Sequence, residues 1–133
     1  MMMNDGQLGS KTTTRGITVL VRPVFVPEKS GPEQWFFAYR IRIANGGTER
    51  VQLQSRHWII TDANGHVEEV RGPGVVGEHP VLDPGEHFDY TSFCPLPTPF
   101  GTMEGSFQMV NTANEIFDVR IAPFELAPPM SVH

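Results

Sequence analysis

Between about residue 15 and residue 126 the chain alternates apolar and polar positions one for one rather than at helical spacing. Ile17, Val19, Val21 and Phe25 share one phase, and Pro23 among them marks an edge strand or a bulge. Phe37, Tyr39, Ile41 and Ile43 are apolar while Arg40 and Arg42 between them are charged, the mark of a half-buried strand. Asn45-Gly46-Gly47 follows and predicts a hairpin turn. In the next run Val51 and Leu53 lie in one phase and Trp58 and Ile60 in the other. A bulge near Ser55-Arg56-His57 reconciles them. Asp62-Ala63-Asn64-Gly65 predicts a second hairpin, leading to a short strand at about 66–71. After the turn Asp83-Pro84-Gly85, Phe88, Tyr90 and Ser92 point inward and His87, Asp89 and Thr91 outward. Met103, Phe107 and Met109, with Gly105 in their phase, and then Phe117, Val119 and Ile121 complete the series. About seven or eight short strands at this spacing predict an all-β, antiparallel two-sheet sandwich.

Composition agrees and adds one constraint. The chain has 133 residues, with 13 Gly and 12 Pro, an excess that rules out a helical bundle. A hydrophobic fraction of 39% is enough for one buried core, and the length suits one domain. Residues 1–14 and 127–133 are polar or proline-rich without periodicity, so they are expected as a loose arm and a loose tail around a domain at 15–126.

Charge narrows the partners. Ten Lys plus Arg against fifteen Asp plus Glu leave a formal charge of −5, and the arginines are scattered along the chain. General affinity for nucleic acid or an anionic membrane is therefore not expected. No apolar run is long enough to span a bilayer, the first residues do not form a signal peptide, and the single Cys94 suits a reducing compartment. The expected location is the cytoplasm.

The chemistry-bearing patterns are few. Gly72-Pro73-Gly74-Val75-Val76-Gly77 matches the G-x-G-x-x-G fingerprint of dinucleotide-binding folds. That fingerprint needs a helix after it, and Glu78-His79-Pro80 followed by Pro84-Gly85 excludes one. A small anion nest of loop amides, or a plain crossing loop, remains. Glu78, His79, His87 and Asp89 are weak candidates for a divalent cation, against the plainer reading of a solvated strand face. Ser92 faces away from His87 and Asp89, so the three form no triad, and Cys94 between Phe93 and Pro95 reads as a small buried hydrophobe. No cofactor and no catalytic set are expected. Arg56-His57-Trp58 is a candidate recognition feature; alternatively Trp58 is the core tryptophan and Arg56 caps it.

Several of these motifs together closely resemble the bacterial ApaG proteins. Arg56-His57-Trp58 comes first, then Gly72-x-Gly74-Val75-Val76-Gly77-Glu78-x-Pro80. Leu82-x-Pro84-Gly85-Glu86-x-Phe88-x-Tyr90-x-Ser92 and Thr98-x-x-Gly101-x-Met103-x-Gly105-x-Phe107-x-Met109 continue the match, in order, from about residue 16 to residue 126. The resemblance implies a fibronectin type III-like (immunoglobulin-like) sandwich acting as a non-catalytic protein-interaction module. It also implies an association with cobalt resistance and magnesium efflux. The expected binding surface is the 72–80 loop, with Gly72, Gly74, Gly77 and Glu78, joined by Arg56 and His57. Edge strands offer a route to a homodimer. The alternative function is a sensor of a small ligand or divalent cation (cobalt, magnesium, pyrophosphate or a nucleotide) using the same loop.

Overall fold

The computed structural model describes residues 9–129. Among the described residues nine strands form in chain order: β1 (Ser10–Thr14), β2 (Ile17–Phe25), β3 (Trp35–Asn45), β4 (Val51–Asp62), β5 (Val67–Pro73), β6 (Val81–Leu82), β7 (His87–Leu96), β8 (Gly101–Asn111) and β9 (Ile116–Leu126). A four-stranded sheet in the order β1-β2-β3-β7 faces a five-stranded one ordered β5-β4-β8-β9, with β6 paired to β4. All pairings are antiparallel. This is the antiparallel two-sheet sandwich expected from the alternation, with the fibronectin type III-like architecture that the family resemblance implies. The strand count rises because β1 and the two-residue β6 join it.

The inward phase of each long strand builds the core. Phe37, Ile41 and Ile43 of the four-stranded sheet meet Leu53, Met103, Phe107 and Met109 of the other, all at 2% exposure or less. Trp58 lies among aromatic rings, edge-on to Tyr39 at 5.3 Å, Phe124 at 6.0 Å and Phe107 at 6.4 Å between centroids. Edge-to-face contacts of this kind add roughly 0.5–1.5 kcal/mol each beyond burial. Trp58 is thus a core residue.

Three sequence expectations need correction. Residues 10–14 are not a loose arm: Thr12 pairs with Val19 and Thr14 with Ile17 along β2. Polar β-branched threonines suit a strand whose side chains are only half-buried. The rest of the predicted arm, residues 1–8, lies outside the described residues, as do residues 130–133 of the tail; residues 127–129 carry no regular structure.

Asn45-Gly46-Gly47 is not a hairpin, because β3 and β4 belong to different sheets. Neither glycine takes positive φ; Gly47 instead packs closely on Gly16. The crossing is held by Asn45, 1% exposed, whose side-chain amide donates to the carbonyls of Glu49 and Leu82, each at 2.9 Å. Its own backbone bonds Glu86 and Gly85 of the second crossing, at 2.9 and 2.7 Å.

The bulge on β4 lies one step earlier than expected. Leu53 pairs with Met109 and Ser55 with Gln108, so the extra residue is Gln54. It switches the inward phase from Val51 and Leu53 to Arg56 and Trp58. Gly105 has its own reason to be glycine: a Cβ there would overlap the carbonyl oxygen of His57 on the neighbouring strand.

The two flanks of the sandwich differ. On one, β1 reaches across to β9: Ser10 Oγ donates to the Ala122 carbonyl at 2.8 Å, and the Arg120 amide donates to Thr14 Oγ1 at 3.2 Å. On the other, the edges β7 and β5 stay apart, and the inner face opens between them.

Candidate binding cleft

The bulge at Gln54 turns the Arg56 side chain into the open flank, opposite Gly72 on β5. A Cβ on Gly72 would stand 2.9–3.1 Å from the guanidinium atoms, so glycine is what lets that group lie against the strand. Arg56 Nη1 donates to the carbonyls of Pro73 at 2.9 Å and Gly74 at 2.8 Å. Cation and glycine together set the start of the loop.

The next two glycines of the motif are needed for backbone shape. Gly74 has φ +60, and a Cβ there would run into the carbonyl oxygen of Glu78. Val75 and Glu78 exchange backbone bonds of 2.9 and 2.8 Å, closing a two-residue turn whose central residues Val76 and Gly77 have φ 43 and +80. Positive φ at both centres is what a type I′ turn requires. Valine is a poor residue for it, since its branched Cβ clashes in that region, at a cost of about 1–3 kcal/mol. Val75 is buried at 1% and fixes the loop to the core, while Val76 is 53% exposed at the tip.

Three of the loop amides are consumed internally. Gly74 N–H donates to the Gln54 carbonyl, Val75 N–H to Glu78 and Glu78 N–H to Val75. After Glu78 the chain runs into β6 rather than a helix. The G-x-G-x-x-G pattern therefore serves a cation cap, a close backbone approach and a tight turn, with three of its amides bonded within the fold and no helix following it.

Beneath the loop lies a cleft of roughly 360 Å3. Tyr39, Tyr90 and Ser92 line it from the four-stranded sheet, and Arg56 and Trp58 from β4, with the loop as its lip. The Tyr90 hydroxyl is buried without a hydrogen-bond partner among the described residues. Burial raises its pKa, the nearby Tyr39 adds to the effect, and the Arg56 guanidinium opposes it. The Tyr39 hydroxyl is raised by burial too, against the pull of its hydrogen bond with Ser92. The cleft thus holds one fixed cation and neutral phenols on an aromatic floor. Alternation shows Tyr90 and Ser92 only as inward positions; what marks Tyr90 functionally is its orphaned hydroxyl, which alternation does not reveal.

The remaining candidates disperse. His57 points to the opposite face from Arg56, with Nε2 2.7 Å from Glu69 Oε1, so the structure separates two residues that sequence grouped. His79 places Nδ1 3.2 Å from the Leu53 carbonyl, and Glu78 is exposed just past the turn. His87 and Asp89 lie 3.7 Å apart on the outer face of β7, where both Asp89 oxygens are taken by Arg42 at 2.8 and 2.9 Å. Among the described residues no three His, Cys, Asp or Glu side chains are grouped to hold a metal. Cys94 is buried, and burial pushes its thiol up to about 12, far from thiolate chemistry.

A family model described as the ApaG domain matches residues 27–111, which include the loop, Arg56 and Tyr90. The chain belongs to the ApaG domain family. It is 53% identical over 124 residues to Protein ApaG of Anaeromyxobacter dehalogenans, covering 93% of this chain and 99% of that one. It is 57% identical over 118 residues to Protein ApaG of Rhodospirillum centenum, covering 87% and 91%. A crystal structure described as the putative ApaA protein from Bordetella pertussis superposes with a TM-score of 0.84 at 52% identity, over 91% of this chain and 98% of that one. A Bacteroides uniformis beta-glucuronidase contains a similar sandwich, with a TM-score of 0.53 at 13% identity over 80% of this chain and 13% of that one. That likeness is one of fold alone. No helix among the described residues is long and apolar enough to cross a membrane.

Proposed function

We propose that this ApaG-domain chain is a non-catalytic binding module that takes a protein partner on its open flank, with the 72–80 loop as the contact lip. The observation that carries this reading is Val76: an exposed apolar side chain, held at positive φ at the tip of a turn closed by the two Val75–Glu78 backbone bonds. Strain of that kind persists where a side chain is wanted in a particular place. A partner segment covering the tip would bury Val76 and bring an oxygen or nitrogen to the Tyr90 hydroxyl. The edges β5 and β7 border the same cleft, so a second copy pairing there would cover it as well. On this reading the family's association with cobalt resistance and magnesium efflux runs through a cytoplasmic partner, not through a metal held by this chain.

The test is photo-crosslinking in cells from residue 76. One partner, captured reproducibly and lost when Gly74→Val distorts the loop, is the expected result. Crosslinks that are diffuse, or unchanged by the loop variant, would overturn it.

A second reading, a small anionic ligand in the cleft, is favoured by Arg56 and the orphaned Tyr90 hydroxyl on the same wall. Calorimetry with pyrophosphate, ATP, Co²⁺ and Mg²⁺ separates the two. Affinity no better than about millimolar for all four discards the sensor reading.

A further inference from the structure

We infer that the outer face of the four-stranded sheet is a binding surface for single-stranded nucleic acid. It lies on the other side of that sheet from the cleft, and it does not depend on what the cleft binds.

The starting point is how the fold sorts charge. The strands of this sheet carry Lys11, Arg22, Arg40 and Arg42 against Asp89 as their only carboxylate. The facing sheet carries Arg56, Arg71 and Arg120 against Asp62, Glu68, Glu69, Glu104, Asp118 and Glu125. All four cations of the first sheet are exposed. The whole-chain charge of −5, which argued against phosphate, is thus an average over two unlike faces. Scattered in sequence, these arginines are gathered by register.

Register also opposes like charges. Arg22 sits directly across the ladder from Arg40, and Leu20, between Lys11 and Arg42, leads to the Arg42–Asp89 pair. Like charges facing each other across a ladder destabilise a sheet. Neither Arg22 nor Arg40 has an ion-pair partner among the described residues, and Asp89 is already held by Arg42 at both oxygens. A shallow groove of roughly 410 Å3 runs between Arg22, Arg40, Arg42, Asp89 and Thr91. Asp89 in this groove compensates Arg42 alone, so Arg22 and Arg40 are left to meet a polyanion laid along it.

The rest of the face favours a nucleic-acid strand over an acidic peptide. Two residues on from Thr91, Phe93 is 52% exposed, and its ring lies 5.6 Å from that of Phe36 at an angle of 34°. Lys29 Nζ stands 5.7 and 6.0 Å from the two ring centroids. The exposed Phe93 ring against the half-buried Phe36, beside a line of cations, matches both things a single strand offers, a π-face and a phosphate. An acidic peptide would use the cations and leave the rings idle. Cations repeat about 6.6 Å apart along β3 and about 4.8 Å apart between strands, so several phosphates can be met at once.

Fluorescence anisotropy with the full chain and a labelled oligouridine of about ten nucleotides tests the surface. Neutralising about four phosphates predicts a log–log salt slope near −3 between about 50 and about 200 mM. Arg22→Ala with Arg40→Ala should roughly halve that slope and weaken binding more than tenfold at the lower salt. The melting temperature of that double variant should stay level or rise, since a repulsion is removed. Phe93→Ala should weaken binding about tenfold and leave the slope unchanged. Oligothymidine binding as well as oligouridine, with a duplex weaker than both, supports a single-strand surface. Absence of salt-dependent binding overturns the inference. So does polyglutamate of equal length binding as tightly, a duplex binding more tightly, or Arg71→Ala on the other sheet causing the same loss.

Discussion

The guanidinium of Arg56 lies flat on the backbone of Gly72, with Nη1 bridging the carbonyls of Pro73 and Gly74. Arg56→Ala removes a charged donor from both carbonyls, one of them part-buried, and should cost about 1–3 kcal/mol of stability by urea unfolding. Gly72→Ala presses only on the end of a flexible side chain, so stability should change by less than about 1 kcal/mol. It should nevertheless displace Arg56 and reduce crosslinking from residue 76 as much as Arg56→Ala does. A stability loss from Gly72→Ala that persists when Arg56 is already alanine would show that the glycine serves the strand instead of the cation.

Val76→Asn should stabilise the protein. Asparagine tolerates positive φ at the first centre of a type I′ turn, and relief of the valine strain is expected to raise stability by about 1 kcal/mol in denaturant titration. The same change removes the apolar tip and should abolish partner capture. Stability gained and binding lost together would show that the strain is kept for contact.

Gly105→Ala drives a Cβ into backbone, not into a side chain that can swing away. β4 and β8 would have to separate at His57, beside Trp58. A loss above roughly 3 kcal/mol is expected, seen as a large drop in melting temperature.

Alkaline pH should unfold the protein from its buried acids. Cys94, ordinarily 9.0, is pushed up to about 12, and burial raises Tyr39 and Tyr90 from 10.0. The unfolded chain ionises first, so above pH 9.0 the native state holds more protons and stability falls as pH rises. Below pH 9.0 this contribution is fully present. Cys94→Ala should remove the part of the decline that begins near 9.0, leaving the tyrosine part from 10.0. Tyr90→Phe should trim the latter, and at neutral pH it should not destabilise, because the hydroxyl it removes is unpaired.

Much of this architecture was legible because alternation reports burial directly: Phe37 to Ile43 and Phe88 to Ser92 point as their phase requires. β1 was not, since its threonines are half-buried and carry no apolar phase. The Asn45 crossing was misread because an Asn-Gly-Gly run suits a hairpin locally, while the sheet change depends on partners at Leu82 and Glu86. At the site, the lack of helix after the glycine loop was readable from its prolines. The pairing of Arg56 with Gly72, the parting of Arg56 from His57 and the facing of Arg22 by Arg40 all depend on register, which single-strand patterns do not contain.

Asn45 has a consequence for how the domain comes apart. Two chain crossings between the sheets, one at 45–50 and one at 82–86, meet on this single residue through its side chain and both of its backbone groups. Neither crossing can peel away while the other stays docked, because each holds the other's carbonyls and amides. Unfolding is therefore all-or-none at that end, and the two layers separate as one cooperative event.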